Sequence, residues 1–213
     1  MPLELLKCLC AFGGYSVNQD RITKALWPEA KGDAAEQALN TTLHRLRKLL
    51  QQESALPLED RHISLERDFI WVDCLAFEHT AHHLVTSDRL ALQRSLRFYR
   101  GPFLEGETSP WALAFRELLR AHYLSMAERL GDMLEQENDW SAAAECYRSV
   151  IEVEPVAETF YRRLMSSYVQ LGCRTEALAV YQRCRQSLLT CLGAKPTRET
   201  QDLYHTLADG GGI

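Results

Sequence analysis

Two stretches of this sequence share one residue pattern at a spacing of 34 residues, and that spacing limits what the chain can fold into. Apolar and small residues recur at four positions, in the pairs Leu130 and Leu164, Leu134 and Tyr168, Ala143 and Ala177, and Tyr147 and Tyr181. Pro155 closes the first copy, where a proline ends a helix. One pair of helices cannot bury its apolar face alone, so a second pair must stack on it. The pattern therefore predicts stacked pairs of helices.

The period and the residue types are typical of the tetratricopeptide repeat, in which small residues lie where two helices touch. Gly131 follows the leucine of the first copy, whereas Met165 takes the corresponding place in the second. Stacks of this kind usually serve as recognition surfaces. The aromatic residues at repeat positions are interpreted as core rather than as a ligand cage, and they are Tyr147, Tyr161, Tyr168 and Tyr181. We therefore expect the function to lie in binding.

The composition is that of a folded protein without a basic domain. Hydrophobic residues make up 46% and charged residues 25%, which is enough for a core. Residues 1–75 hold nine Lys and Arg against eleven Asp and Glu, or −2, and the remainder holds fifteen against eighteen, or −3. Nucleic-acid binding would therefore need a local basic patch. The apolar runs are too short to span a bilayer and the N-terminus is a poor signal peptide, so we expect a cytoplasmic protein without membrane contact.

The cysteines and histidines do not form a diagnostic site. An odd, scattered set of cysteines reads as reduced core thiols rather than a disulfide frame; they are Cys8, Cys10, Cys74, Cys146, Cys173, Cys184 and Cys191. His79 and His83 share a helix face at a spacing that zinc can use, but no third ligand has diagnostic spacing. The sequence also lacks a P-loop, a dinucleotide fingerprint and a G-x-S-x-G elbow. We expect no enzyme, no cofactor and no metal ion.

Three helices are predicted near the N-terminus. The first covers residues 3–12 and stops at a glycine pair. Asn18 is placed as the N-cap of a second helix over 19–26. Asp33 and Glu36 have the spacing of a capping box, which predicts a third helix from Ala34 to about Leu50.

A β-hairpin is predicted after the third helix. The run His62–Glu66 alternates apolar and polar residues, and the run Phe69–Asp73 is aromatic and β-branched. Arg67 and Asp68 lie between them as the turn. Beyond Leu75 the pattern is helical throughout, and helices are predicted near 76–86, 88–99, 110–137, 139–152, 156–171, 174–191 and 197–208.

The third helix has one apolar and one polar face. The apolar face consists of Leu39, Leu43, Leu46 and Leu50. The opposite face consists of Gln37, Thr41, His44 and Lys48, flanked by Asn40, Arg45 and Arg47. Residues 37–51 include three basic residues and no acidic one, so this face would not repel phosphates. Its side chains suit base edges or phosphates, although an ordinary solvated helix face is the competing interpretation.

The run ITKALWPEAKGDAAEQALNTTLHRLRKLL, followed by ISLERDFIWVDCLAF, resembles the winged-helix domain of bacterial transcriptional activators of the antibiotic regulatory protein (SARP) type. The matching parts are A-L-W-P, L-x-R-L-R-K-L-L and W-V-D-x-x-x-F. Members of that family carry a small β-sheet before the first helix, which this chain lacks. The resemblance implies that DNA faces Asn40, Thr41, His44, Arg45 and Lys48, with Arg47 near the backbone and Arg67 at the hairpin tip.

Residues 76–208 resemble the bacterial transcriptional activation domain that follows the winged helix in the same regulators. The matches are FYRGPFLEGE at 98–107, the start of a helix at Pro110 and Trp111, the repeat pair, and LGAKPTRETQDLY at 192–204. Together the two resemblances cover nearly the whole chain in the family's order. That order is stronger evidence than either resemblance alone.

These observations predict a mostly α-helical protein, a winged helix-turn-helix of three helices and a hairpin followed by a tetratricopeptide-like repeat domain. The expected domains are 1–75 and 76–208, with a disordered tail at 209–213. The expected function is that of a DNA-binding transcriptional activator. Its helical repeats would contact RNA polymerase or a regulatory protein, or form a homodimer. The alternative is a protein-interaction module of a larger signalling regulator that does not bind DNA by itself, for which Arg162, Arg163, Arg174, Arg183 and Arg185 might line an acidic partner's groove.

Overall fold

The computed structural model describes residues 1–30, 32–83 and 88–209, with only the backbone of His82 and His83. This part of the chain is mostly helical, with a small three-stranded antiparallel sheet. It divides into two compact units, one of residues 1–86 with 97–122 and one of residues 87–96 with 123–213. The predicted disordered tail lies outside the described residues from 210 onward. The predicted domain division after residue 75 concerns the sequence families and stays a prediction.

The first unit begins with three helices and three short strands. The elements are α1 (Pro2–Ala11), β1 (Val17–Asn18), α2 (Gln19–Leu26), α3 (Asp33–Leu50), a 3-10 turn (Glu53–Ala55), β2 (Leu58–Glu59), β3 (His62–Ile63) and α4 (Asp73–His83). The three N-terminal helices lie close to their predicted positions. The predicted end of α4 at residue 86 lies outside the described residues.

The hairpin was predicted at the wrong place along the chain. Strand β3 pairs with β1 on one side and β2 on the other, so that Ile63 lies opposite both Val17 and Leu58. The turn consists of Asp60 and Arg61, whose φ values of 45° and 64° are those of a two-residue hairpin loop. Residues 69–72, predicted as the start of a strand, form a turn and an irregular segment before α4.

The N-terminal caps of α2 and α3 differ from each other. The Asn18 side chain accepts a hydrogen bond from the Asp20 amide at 2.8 Å, which confirms the predicted cap. The predicted capping box at Asp33 and Glu36 is wrong, because α3 starts at Asp33 and its N-cap is Gly32, without a side-chain hydrogen bond. Gly32 has φ of 54°, a conformation that favours glycine. Both acids lie instead in the first turn, where the helix dipole favours them.

The core of the first unit forms between α1, α2, α3 and the sheet. Its most buried side chains include Leu5, Leu9, Ile22, Leu39 and Ile63. The predicted apolar face of α3 is confirmed, since Leu39, Leu43 and Leu46 are buried and Leu50 is half-buried. Helix α3 is therefore fixed through this face.

The second unit is a succession of packed helices. It consists of α5 (Arg89–Leu96), the part of α6 (Pro110–Gln136) from residue 123, α7 (Trp140–Val153), α8 (Glu158–Gln170), α9 (Arg174–Leu192) and α10 (Arg198–Ala208). Each helix from α7 onward packs on the next. The core interpretation of the tyrosines is confirmed for Tyr147, Tyr161 and Tyr181, which are buried, while Tyr168 is half-buried.

Gly131 marks the tightest approach in the second unit. A Cβ atom at Gly131 would lie 2.1 Å from the hydroxyl oxygen of Tyr147 and 2.4 Å from its Cε1, far inside contact distance. The Tyr147 hydroxyl donates to Glu135 Oε1 at 2.6 Å. The tyrosine ring thus occupies the space that a side chain at 131 would need, which explains why the first copy of the repeat has glycine where the second has Met165.

Within the described residues, none of the helices is long and apolar enough to cross a bilayer. The same residues contain no group of three or more His, Cys, Asp or Glu side chains arranged to hold a metal ion. The side chains of His82 and His83, which belong to the histidine group considered above, lie outside that description. All seven cysteines are free, and Cys191 is exposed rather than in the core.

Candidate nucleic-acid interface

One side of α3 is covered with exposed polar residues. We call this set the α3 polar face, and it consists of Gln37, Asn40, Thr41, His44, Arg45 and Lys48, all exposed. The opposite side is buried against the core described above, so the polar face cannot turn inward. The sequence therefore identified correctly which residues of α3 solvent reaches, and hence which a ligand can reach.

Charge is separated along α3. Its first turn contains the acids Asp33 and Glu36, and its last turn contains the bases Arg47 and Lys48. This distribution complements the helix dipole at both ends. It also leaves the C-terminal half of the polar face without a carboxylate, which is where Arg45 and Lys48 project. An anionic ligand would be attracted to that half.

Arg47 differs from the other residues predicted for the interface. It is half-buried, and its Nε and Nη2 atoms donate to the carbonyl oxygen of Leu56 at 3.0 and 2.5 Å. This contact ties the last turns of α3 to the segment that leads into the hairpin. The predicted position of Arg47, directed at a DNA backbone, is therefore corrected: its guanidinium holds the fold.

Arg61, rather than Arg67, lies at the hairpin tip. Its Nη2 atom forms an ion pair with Asp20 Oδ1 at 2.7 Å, and its carbonyl accepts from the Gln19 amide at 2.8 Å. These contacts fix the tip against the first turn of α2. Sequence reasoning missed Arg61, although the aspartate before it is a residue type that two-residue turns accept.

Arg67 lies beyond the hairpin and is exposed. It belongs to a turn in which the amides of Phe69 and Ile70 both donate to the carbonyl of Glu66, at 3.1 and 2.9 Å. Its predicted place at the hairpin tip is wrong because the hairpin forms earlier in the chain. Contact between Arg67 and DNA stays a prediction from the resemblance alone.

The arginines of the second unit are mostly engaged within it. Arg163 pairs with Asp132 and with Glu135 Oε2, the latter at 3.1 Å, and its guanidinium lies over the Tyr147 ring at 4.9 Å. Burial lowers and these hydrogen bonds raise the pKa of Arg163, with a net rise. The other engaged pairs are Arg162 with Glu199, Arg183 with Glu152, and Arg174 with the Ala208 carbonyl.

Arg185 is the exception in this group of arginines. It is exposed, and it makes no ion pair or hydrogen bond with the described residues. The groove considered for an acidic partner is therefore not built from five free cations. Four of these arginines hold the second unit together, and only Arg185 projects into solvent.

Comparison with known proteins places most of the chain in one family. Residues 73–208 match the bacterial transcriptional activator domain. The chain is 26% identical over 212 residues to the regulatory protein AfsR of Streptomyces coelicolor, a match that covers 95% of this chain and 21% of AfsR. The chain thus spans about a fifth of the length of this curated relative.

A solved structure has a similar fold. It is Mycobacterium tuberculosis EmbR in complex with a low affinity phosphopeptide, with a TM-score of 0.64 and 18% identity. The similarity covers 100% of this chain and 60% of the EmbR chain. At this level of identity the likeness shows the arrangement of elements, which extends over both units.

Proposed function

We propose, from the premise that this chain belongs to the bacterial transcriptional activator domain family, that it is a DNA-binding regulator of transcription in the cytoplasm and not an enzyme. The family relation and the likeness to AfsR support a role in transcriptional activation. Binding of DNA by the first unit is the finer part of the proposal. It is supported by the geometry of α3 and of the strands beside it.

The observation that carries this proposal is the α3 polar face. Three helices followed by a hairpin of β2 and β3 are the parts of a winged helix-turn-helix, in which the third helix enters the major groove. In such a fold an exposed face with six polar side chains would point at base edges. The buried leucines behind it would hold the helix in place.

The side chains of this face differ in the contacts that they suit. Gln37 and Asn40 can each hold an adenine through two hydrogen bonds, and Arg45 can hold a guanine in the same way. Lys48 and Thr41 suit phosphates. Arg47 acts indirectly, because its bond to the Leu56 carbonyl sets the hairpin relative to α3. Arg61 would reach a backbone phosphate only by leaving Asp20.

The first experiment is capture of random genomic DNA fragments by the purified chain at two salt concentrations. The test variant replaces His44, Arg45 and Lys48 by alanine, and its folding is checked by circular dichroism. We expect the wild-type chain to enrich a common motif and the variant to lose it. Arg185→Ala is the matched control, since it removes an exposed positive charge from the second unit and should leave the enrichment unchanged.

For the second unit we propose a tetratricopeptide-like stack that contacts RNA polymerase or a regulatory protein, or that forms a homodimer. Successive packing of α7 to α10 supports the stack. The EmbR structure contains a phosphopeptide, which supports a partner of the protein class.

The second candidate function is a protein-interaction module of a larger signalling regulator. The net charge of −5 and the short share of AfsR that the chain covers favour it. Charge reversal at Arg162 or Arg163 is a poor test, because both hold the fold. Arg185→Glu is better. Loss of partner capture in this variant, together with no DNA retention by the wild-type chain at low salt, would favour this candidate.

A further inference from the structure

Two cysteines from distant parts of the sequence meet in the first unit. Cys10 lies in the last turn of α1, and Cys74 lies in the first turn of α4. Their thiol groups are hydrogen-bonded to each other. Cys74 also packs against the buried cluster that contains Cys10. Helix packing, and not sequence proximity, therefore creates a pair of adjacent thiols.

A cavity of about 570 Å³ gives solvent access to this pair. Both thiols line it, together with Lys7, Asp73, Phe77 and Tyr99. The cavity lies entirely within the first unit and is far larger than a water molecule or hydrogen peroxide. Cys10 itself is only 5% exposed, so a small oxidant reaches it through this cavity rather than across an open surface.

We propose that Cys10 and Cys74 are a redox-active dithiol, which hydrogen peroxide converts into an intramolecular disulfide between α1 and α4. This modification site is independent of the function proposed above. It distinguishes these two cysteines from the other five, which have no thiol neighbour of this kind among the described residues.

The two thiols have different roles. The hydrogen bond from Cys74 holds the pKa of Cys10 below its usual value, although burial and Asp73 raise it. The same bond and burial raise the pKa of Cys74. By contrast, burial raises the pKa of Cys8 to about 12. Because the thiolate is the reactive form, Cys10 is the attacking group and Cys74 the resolving one.

The reaction proceeds in two balanced steps. The Cys10 thiolate attacks one oxygen of hydrogen peroxide, the O–O bond breaks, and the released hydroxide takes up a proton, so that Cys10 becomes a sulfenic acid and water leaves. The Cys74 sulfur, on losing its proton, attacks the Cys10 sulfur. The S–O bond breaks, and a second water leaves. In total, two thiols give two electrons to the peroxide and form one disulfide.

The test uses the full chain with Cys191→Ser, since the exposed Cys191 would otherwise link two molecules. The protein is treated with hydrogen peroxide, free thiols are alkylated, and a tryptic digest is analysed by mass spectrometry without reduction. We expect a linked pair of peptides covering 8–21 and 68–89, which a reducing agent separates. We also expect Cys10 to react at least ~100-fold faster than Cys8.

Single substitutions separate the two roles. Cys8→Ser should leave the linked peptides intact, which identifies Cys10 as the linked residue on the shared peptide 8–21. In Cys74→Ser, which alters a partly exposed residue, the Cys10 sulfenic acid should persist and be trapped by dimedone. Two results overturn the proposal. One is that Cys10 and Cys74 stay alkylated after peroxide has been consumed, and the other is that the link survives in Cys10→Ser.

Discussion

At the scale of single residues, the molecule is most tightly determined where one side chain takes the space of another. Gly131 leaves room for the Tyr147 ring, and the Tyr147 hydroxyl reaches Glu135. Arg163 then covers the ring and pairs with Glu135. Burial and the hydrogen bond to Glu135 raise the pKa of Tyr147, so that it stays a neutral donor. This group joins the end of α6 to α7 and α8.

We predict that Gly131→Ala lowers the free energy of unfolding by about 1–3 kcal/mol. The added methyl group meets the rigid, fully buried Tyr147 ring, and this overpacking exceeds the gain of about 1 kcal/mol in helix propensity. Urea denaturation followed by circular dichroism measures the effect.

The control for this prediction is the same substitution in a Tyr147→Ala background. There the ring is absent, and alanine at 131 should be neutral or stabilising because only helix propensity remains. Equal destabilisation in both backgrounds would show that the ring is not the cause.

At the scale of elements, a few polar groups join helix ends that are far apart in sequence. Glu158, in the first turn of α8, accepts hydrogen bonds at 2.7 Å from both the amide and the hydroxyl group of Thr197, the N-cap of α10. Burial raises the pKa of Glu158, but the hydrogen bonds from Thr200 and Thr197 lower it more. The last helix is thereby fixed to the stack.

We predict that Glu158→Gln lowers the free energy of unfolding at neutral pH by about 1 kcal/mol. Because the pKa of Glu158 is lower in the folded protein than in the unfolded one, its stabilisation is present above the unfolded-state pKa and is lost as the pH falls through the folded-state pKa. The difference between wild type and variant should therefore shrink as the solution is acidified below about pH 5.

Urea titrations at several pH values test this. Glu145→Gln is the matched control, since Glu145 is an exposed carboxylate on α7 with no such partner among the described residues. A difference between wild type and Glu158→Gln that stays constant with pH would contradict the assignment of the carboxylate as a charged acceptor.

At the scale of the whole molecule, charge is the feature that most limits how the protein can bind DNA. The chain carries a net charge of −5, so its average field repels a polyanion. Attraction must come from the C-terminal half of the α3 polar face. The second unit contributes little to it, because four of its arginines are paired internally.

We predict that the affinity for DNA falls at least ~10-fold between about 50 and about 200 mM salt, because bound phosphates release counterions. The double variant Arg45→Ala and Lys48→Ala should make the slope of log affinity against log salt shallower by about two, one for each phosphate contact removed. Fluorescence anisotropy with a short duplex measures both slopes.

Arg185→Ala should leave that slope unchanged, since it removes one charge outside the proposed interface. A slope that falls equally in both variants would mean that overall charge, and not the α3 polar face, governs binding.

The sequence by itself determined the helices and the faces that they present. Helical periodicity is a local property, so the apolar spacing of Leu39, Leu43 and Leu46 was enough to predict both the buried and the exposed side of α3. The cap at Asn18 and the repeat pair were predicted for the same reason. Five of the candidate site residues could likewise be assigned to the exposed side because their neighbours at helical spacing are buried.

Only the tertiary structure decided which distant groups meet. The sheet forms because Val17 comes to lie opposite Ile63, and no local pattern contains that pairing, so the hairpin and the place of Arg67 were predicted wrongly. The engagement of Arg47 with Leu56 and the meeting of Cys10 with Cys74 are of the same kind. Such contacts depend on how helices pack in space, and the free energy of that packing is shared among many residues rather than written in any one segment.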